Sequence, residues 1–229
     1  MYITAVLPGE DKIRCIGAAT SDSPLGPFKP KDKAILCPKD KNVIGGGGFT
    51  EKVIDGAGFA DGPKHYLLWG ERVEPKGGGL AKTRTLAQST TPDGLELTGQ
   101  PIELTVADRD ETFVNESPTM VKLGGLYVLL FSANAWYDQR YTVYAATKDS
   151  LTNGFKKQKE PVLKTGTIGG KKLISPGSAD ILFTDTEGGK AKIVFHSTEP
   201  GTEGGDKSKI RRLLWTAEIE VKNGIVKVV

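Results

Sequence analysis

Two carboxylates, Asp55 in VIDG and Glu116 in NESP, each open a run that turns and continues as an apolar strand, and they lie 61 positions apart. A pair of carboxyl groups that converge on one pocket can divide acid and base work, one keeping its proton for a departing oxygen while the other stays ionised. A neighbouring Asp55 anion would raise the pKa of Glu116 by like-charge repulsion, as would partial burial, and would keep Glu116 protonated near neutral pH. Read by themselves, both carboxylates also fit a structural role, held by ion pairs or hydrogen bonds.

Whether they converge depends on the elements that carry them. The stretches Asp55 to Trp69 (DGAGFADGPKHYLLW), Glu116 to Ser132 (ESPTMVKLGGLYVLLFS) and Pro176 to Ser197 (PGSADILFTDTEGGKAKIVFHS) repeat one pattern of strand, turn and apolar strand. Tyr66 and Tyr127 share the 61-residue spacing, and Phe131 and His196 lie 65 apart. A period of about sixty residues built from short strands is one blade of a β-propeller. There, equivalent positions at the start of each innermost strand point into a central channel, which would set Asp55 and Glu116 facing one another.

The strands read as alternating or continuous apolar runs, CIGAAT, HYLLWG, TRTLAQS, YVLLFSA, YTVYAAT, KIVFHS and LLWTAEI, with no convincing helical periodicity. Asp61-Gly62, Asp93-Gly94, Asn153-Gly154 and Asn223-Gly224 are hairpin dipeptides between them, because Asn, Asp and Gly tolerate positive φ. The expected architecture is all-β: an incomplete propeller with three full blades, Val53 to Leu104, Glu116 to Leu163 and Ile174 to Val229, in one domain over residues 1–229. The first fifty residues read as the tail of another blade without its innermost strand. An open ring leaves sheet edges and apolar blade faces uncovered, so a homo-oligomer that closes it is expected.

At 229 residues with 38% hydrophobic residues and 29 Gly, the chain can bury a sizeable core of short strands joined by tight turns. The longest apolar run, Leu126 to Phe131, is far short of the roughly 20 residues a membrane span needs, so no membrane association is expected. The opening MYITAV carries no leader pattern. A net charge of +3 from 31 basic and 28 acidic residues, with one basic cluster at Lys207 to Arg212, argues against a nucleic-acid partner. Cys15 and Cys37 flank a turn-rich stretch and could bond or remain buried thiols, and neither belongs to a metal motif. Gly45 to Gly48 lacks the following GK[ST] of a phosphate loop and reads as a flexible connection. His65, beside HYLLWG, is expected at the surface. Asn115-Glu116-Ser117 is a glycosylation sequon by pattern, but a glycan there would fill the proposed channel.

The segments ATSDSPLGPF, VIDGAGFADG, NESPTMVKLGGLYVLLFSAN, YTVYAATKDS, SPGSADIL, IVFHST and RRLLWTAEI, in that order, resemble glycoside hydrolase family 43 over nearly the whole chain. The resemblance implies a five-bladed propeller of the arabinofuranosidase and xylosidase type. It would hydrolyse arabinose- or xylose-containing plant polysaccharide by inversion, with three acidic residues in the channel. On it, Glu116 is the general acid and Asp55 the carboxylate that tunes and orients the acid. The family's base, an Asp upstream of the stretch matching MYITAV, has no counterpart here. Inversion needs a base carboxylate about 6.5 to 9.5 Å from the acid. It must then come from another chain, or from a local acid such as Asp180, or from a longer parent; otherwise the protein is a non-catalytic sugar-binding or interaction propeller. Gly56 stands where the family usually has Pro, which would loosen the strand start that aims Asp55.

Further residues are candidates for substrate binding. Phe59, Trp69 and Trp136 are the aromatic candidates for a sugar platform, Phe59 favoured, although propeller aromatics also pack blade against blade. His196 matches a position that often faces the channel, or is simply a hydrogen-bonded strand histidine. One of Arg211 and Arg212 should point inward as the family's sugar-side arginine. Some members hold calcium through a His after a Pro-Gly pair, but Ser178 occupies that place, so no tightly bound metal is expected, and no cofactor. The family is typically secreted, yet the compartment stays open.

Overall fold

The computed structural model describes residues 1–38, 52–73, 80–185, 188–203 and 206–229, with residues 10–12 described by their backbone only. The glycine run Gly45 to Gly48 lies outside the described residues. Apart from one 3-10 turn at Lys207–Lys209, the regular structure there is strand.

Three four-stranded antiparallel sheets follow one another along the chain. The first full blade is β4 (Val53–Asp61), β5 (Lys64–Val73), β6 (Lys82–Thr90) and β7 (Leu97–Val106). The second is β8 (Asn115–Leu123), β9 (Leu126–Ala133), β10 (Thr142–Lys148) and the short β11 (Lys156–Lys157). A separate hairpin not foreseen from the sequence, β12 (Gly166–Ile168) with β13 (Lys171–Leu173), bridges to the third blade. That blade is β14 (Gly177–Asp185), β15 (Lys190–Thr198), β16 (Arg212–Lys222) and β17 (Ile225–Val228). The chain opens with a three-stranded sheet, β1 (Tyr2–Leu7), β2 (Glu10–Thr20) and β3 (Lys29–Pro30). Three full blades and one without its inner strand are what the repeats predict, although the last strand of the second blade ends at Lys157 rather than Leu163.

The innermost strands line up: β4 packs against both β1 and β8, and β8 against β14. In the first two full blades the second strand lies between two neighbouring sheets and is apolar on both faces, which is why HYLLWG and LYVLLFSA read as continuous apolar runs. Ile16, Leu36, Val53, Leu67, Trp69 and Leu86 fill the space between the partial and first full blades. Phe59, Tyr66, Leu68, Leu129 and Phe131 fill the next gap, and Leu130, Val143, Ile193 and Phe195 the one after. Both ends of this arc are open. Among the described residues no strand pairs with the second edge of β1, and Leu182, Phe183 and Leu214 of the last blade are exposed.

Two contacts tie the partial blade down. A Cβ on Gly56 would lie 2.9 Å from Ile16 Cγ2 and 3.1 Å from Tyr2 Cβ, so β1 and β2 pack directly on that backbone. Gly56 therefore does not loosen the start of β4, as its departure from Pro suggested; it is a close approach that only glycine allows. Cys15 and Cys37 form a disulfide with Cα atoms 4.5 Å apart, which resolves the alternative left open by the sequence. Its closed loop spans a sequence separation of 22, and such loops limit unfolded-state entropy by about 3 kcal/mol. Reduction, or Cys15→Ser, is therefore expected to lower the urea midpoint; an unchanged midpoint would show that the bond constrains nothing that unfolds.

Candidate active site

The inner strand of every full blade carries the same irregularity near its start. Ile54 pairs with Gly70 and Ala57 with Leu68; Glu116 pairs with Ser132 and Thr119 with Leu130; Gly177 pairs with His196 and Asp180 with Val194. Each is a bulge with one extra residue, and bulges re-aim side chains at a sheet's rim. The residue after the first pair is left-handed each time, at φ +58° for Asp55, +51° for Ser117 and +49° for Ser178. Non-glycine residues in this region cost of order 1–3 kcal/mol and persist where surrounding contacts enforce them.

This register corrects one sequence expectation. The counterparts of Asp55 are Ser117 and Ser178, and those of Glu116 are Ile54 and Gly177. The two carboxylates thus occupy successive places of one bulge rather than the same place. The sequence spacing misleads because Tyr66 and Tyr127 are not equivalent: the hairpins close at Asp61/Lys64 and Leu123/Leu126, one residue out of step with those tyrosines.

The left-handed residues are linked around the inner rim. Asp55 Oδ2 accepts from the Ser117 backbone N–H at 2.9 Å and from its hydroxyl at 3.2 Å. The Ser117 and Ser178 hydroxyl oxygens are 3.1 Å apart, and the Ser178 N–H donates to Ser132 Oγ at 2.7 Å. Behind Asp55, its own N–H donates to Thr4 Oγ1 of β1 at 3.0 Å. Burial raises the pKa of Asp55, with the two Ser117 bonds opposing that rise.

Glu116 is turned inward by its neighbour. Asn115 is fully buried. Its Oδ1 accepts from Thr83 Oγ1 at 3.0 Å, its Nδ2 donates to Thr105 Oγ1 at 3.1 Å, and its N–H also donates to Thr83. With Asn115 held toward β6 and β7, the alternation of a strand aims Glu116 the other way; a buried and bonded Asn115 also leaves no room for a glycan at the sequon. The Tyr141 hydroxyl donates to Glu116 Oε1 at 2.7 Å. Burial chiefly, and the Asp55 charge, push the Glu116 pKa up from 4.5 to about 7, against the lowering effects of Tyr141 and Arg212.

Tyr141 is itself buried, and its ionisation is pushed far up by burial first and then by the Glu116 charge. A Cβ on Gly177 would fall 1.8 Å from Tyr141 Cε1, so glycine at the Glu116-equivalent position of the next blade makes room for the ring. On its other side Tyr141 stacks against His196, ring centroids 6.0 Å apart and planes 11° from parallel. Burial, and then the Arg212 charge, lower the His196 pKa to about 4, so the imidazole is neutral at pH 7, with a buried Nδ1 that has no protein partner. Arg212 acts on both Glu116 and His196 and lies with its Cζ 4.8 Å from the Trp136 ring centroid. Arg211 points away into an ion pair with Glu199 at 2.7 Å, so the inward arginine is Arg212.

The site therefore gathers Asp55, Glu116, Ser178, His196, Arg212 and Trp136. It does not gather the other two aromatics. Phe59 is buried between blades against Tyr66 and Tyr127. Trp69 is fully buried with Ile16 and Leu67, its Nε1 donating to Glu71 at 3.4 Å. Phe59 sits four residues past Asp55, beyond the bulge, where the strand has regained regular pairing and faces its neighbour blade. His65 is half-buried beside Thr90. Asp180 accepts from Thr119 Oγ1 at 2.7 Å and from the Ile181 N–H, a blade-to-blade tie that occupies one of its oxygens. Among the described residues, no group of three or more His, Cys, Asp or Glu could hold a metal ion.

Residues 1–223 match the family model described as Glycosyl hydrolases family 43. The chain belongs to glycosyl hydrolase family 43. No curated protein matches this family 43 chain. Among solved structures it resembles a thermostable family-43 glycoside hydrolase (TM-score 0.75, 22% identity, 99% of this chain and 70% of that one). It also resembles an α-L-arabinofuranosidase from Lactobacillus brevis (TM-score 0.71, 20% identity, 100% and 72%). An endo-1,4-beta-xylanase from Bacteroides thetaiotaomicron gives a TM-score of 0.70 at 21% identity, with 100% and 70% covered. The likeness places the arc of blades within a propeller fold, of which this chain spans about 70% of the length.

Sequence reasoning missed Tyr141 and Ser117. Tyr141 lay in YTVYAAT, where an aromatic is indistinguishable from an ordinary strand former, and Ser117 acts through a backbone conformation that spacing does not disclose. Both generate tests. Tyr141 stabilises the Glu116 anion, so Tyr141→Phe is expected to raise the Glu116 pKa above about 7, read by carboxyl titration in the two proteins. Folded Glu116 also binds its proton more tightly than the unfolded chain does, so its contribution favours folding at low pH and is lost as pH rises from 4.5 through about 7. Glu116→Gln should thus gain stability over the parent across that window, approaching ~3 kcal/mol above it, measured by urea denaturation at pH 5 and pH 8. An equal difference at both pH values would contradict the shifted pKa.

Proposed function

We propose that the family 43 chain carries the acid half of an inverting glycoside hydrolase site for arabinose- or xylose-containing polysaccharide. The observation that carries this reading is the Glu116 carboxyl, half-buried beside Asp55 and held by Tyr141. Its pKa near 7 leaves a substantial protonated fraction at neutral pH. With Oε1 taken by the Tyr141 hydroxyl, Oε2 carries the proton to the glycosidic oxygen. Asp55, fixed by both donors of Ser117, raises the affinity of Glu116 for that proton and keeps its own charge turned toward the reacting sugar. Neutral His196 and the Arg212 guanidinium offer hydrogen-bonding groups to sugar hydroxyls.

The water-activating base is the remaining requirement. Among the described residues, Asp55 is the acidic side chain whose charge bears on Glu116, so in this reading the base comes with whatever closes the ring. A second copy of the chain is the occupant we propose. The free edge of β1, YITAVL, has no charged residue or proline to discourage strand pairing, and Leu182, Phe183 and Leu214 stand uncovered at the other end. Light scattering should then give a dimer, and a monomer at working concentration would rule this arrangement out. A second reading is a sugar-binding propeller without turnover.

Leaving-group dependence separates the two. Loss of a general acid costs about 10² to 10⁴ in rate when the leaving group needs a proton, and little when it leaves as a stable anion. Glu116→Gln should therefore cripple hydrolysis of an arabinoxylo-oligosaccharide far more than that of a nitrophenyl arabinofuranoside or xyloside. Equal loss on both would contradict the acid role, and absence of turnover on either by the parent would leave the binding reading.

A further inference from the structure

The basic cluster Lys207 to Arg212, which no part of the mechanism above uses beyond Arg212, lies against the aromatic pair at the channel mouth. Trp136 and Tyr137 follow β9 and meet edge to face, centroids 5.4 Å apart at 87°, with 37% and 44% of their surfaces exposed. The Lys207 Nζ lies 3.4 Å from the Tyr137 ring centroid, and Arg212 lies over Trp136. Three other cations of these segments are in ion pairs: Arg140 with Asp138, Lys209 with Asp206, Arg211 with Glu199. Among the described residues, Lys207 and Arg212 make no close ion pair. Those three acids are committed elsewhere, and Lys207 and Arg212 are held over aromatic faces.

A cation over a ring is favoured by the ring's quadrupole, and an exposed aromatic face also accepts the C–H face of a pyranose. A guanidinium and an ammonium together meet a carboxylate through charge-assisted hydrogen bonds, the guanidinium as a planar fork. The ligand with both properties is a sugar ring bearing a carboxylate. We propose that Trp136, Tyr137, Lys207 and Arg212 form a subsite for a uronic-acid residue of the polysaccharide, outside the position where Glu116 meets the scissile bond. Arg212 joins the two, since its charge acts on Glu116 as well. The subsite directs the enzyme to acidic, uronate-bearing chains over neutral ones of the same length. This inference rests on the channel being a glycoside site.

The test is calorimetric binding to the Glu116→Gln protein, which leaves the ligand intact. Three probes are compared: a neutral xylo-oligosaccharide, the same chain with a glucuronic-acid branch, and an oligogalacturonate. At least one acidic probe is expected to bind about 10-fold more tightly than the neutral one, the worth of one charge-assisted contact. That advantage should shrink with added salt, vanish on Lys207→Met without loss of neutral binding, and return with Lys207→Arg. Which acidic probe responds identifies the source of the uronate. Equal affinity for all three, or an advantage that Lys207→Met leaves unchanged, overturns the subsite while sparing the glycoside reading. Binding of none of them overturns both.

Discussion

The proton on Glu116 is the constraint around which the inner rim is arranged. Ionising a carboxyl in a poorly hydrated pocket next to another carboxylate is costly, and the cost appears as a pKa of about 7. One group alone would not hold it there. Burial and Asp55 push the value up, while the Tyr141 hydroxyl and the Arg212 charge limit the rise, so the residue stays within reach of both protonation states at neutral pH. That balance is what a proton donor needs, because an acid fixed permanently in one state cannot turn over.

Three successive blades supply the parts through one device, the bulge at the start of each inner strand. In the first blade its left-handed place carries Asp55, in the second Ser117, in the third Ser178, and these side chains bond in sequence across the blades. The preceding place carries Glu116 in the second blade and Gly177 in the third, where the missing side chain is the space that Tyr141 fills. Backbone strain at the bulges is thus offset by hydrogen bonds between blades, and the same bonds fix the spacing of Glu116 and Asp55. The partial blade contributes as well, since Thr4 of β1 holds the Asp55 backbone and Gly56 lets β1 and β2 approach.

Much of this was legible in the chain. Repeats near sixty residues, hairpin dipeptides and continuous apolar strands were enough to lay out three blades and a fragment, because period and burial are written directly in residue type. Glu116, Asp55, His196 and Ser178 were located by motif and Trp136 by residue type, and the structure brings them together with Arg212. What stayed hidden depends on single-residue register and on direction. Spacing could not see that Glu116 and Asp55 sit one step apart in a bulge, nor choose Arg212 over Arg211. Phe59 and Trp69 were drawn toward the sugar by type, whereas the first lies past the bulge on the blade-facing side and the second on a strand buried on both faces. Tyr141 had no signal at all, because its role comes from a loop that turns it onto a glycine 36 residues later.

The fold keeps a substantial fraction of Glu116 protonated at neutral pH. The most direct test is a carbon-13 NMR titration of the glutamate side-chain carboxyls, with Glu116 assigned by loss of its signal in Glu116→Gln. That signal is expected to titrate with a midpoint near 7. A midpoint near the ordinary 4.5 would mean that the carboxyl is hydrated and ionised, and that the site holds no resident acid.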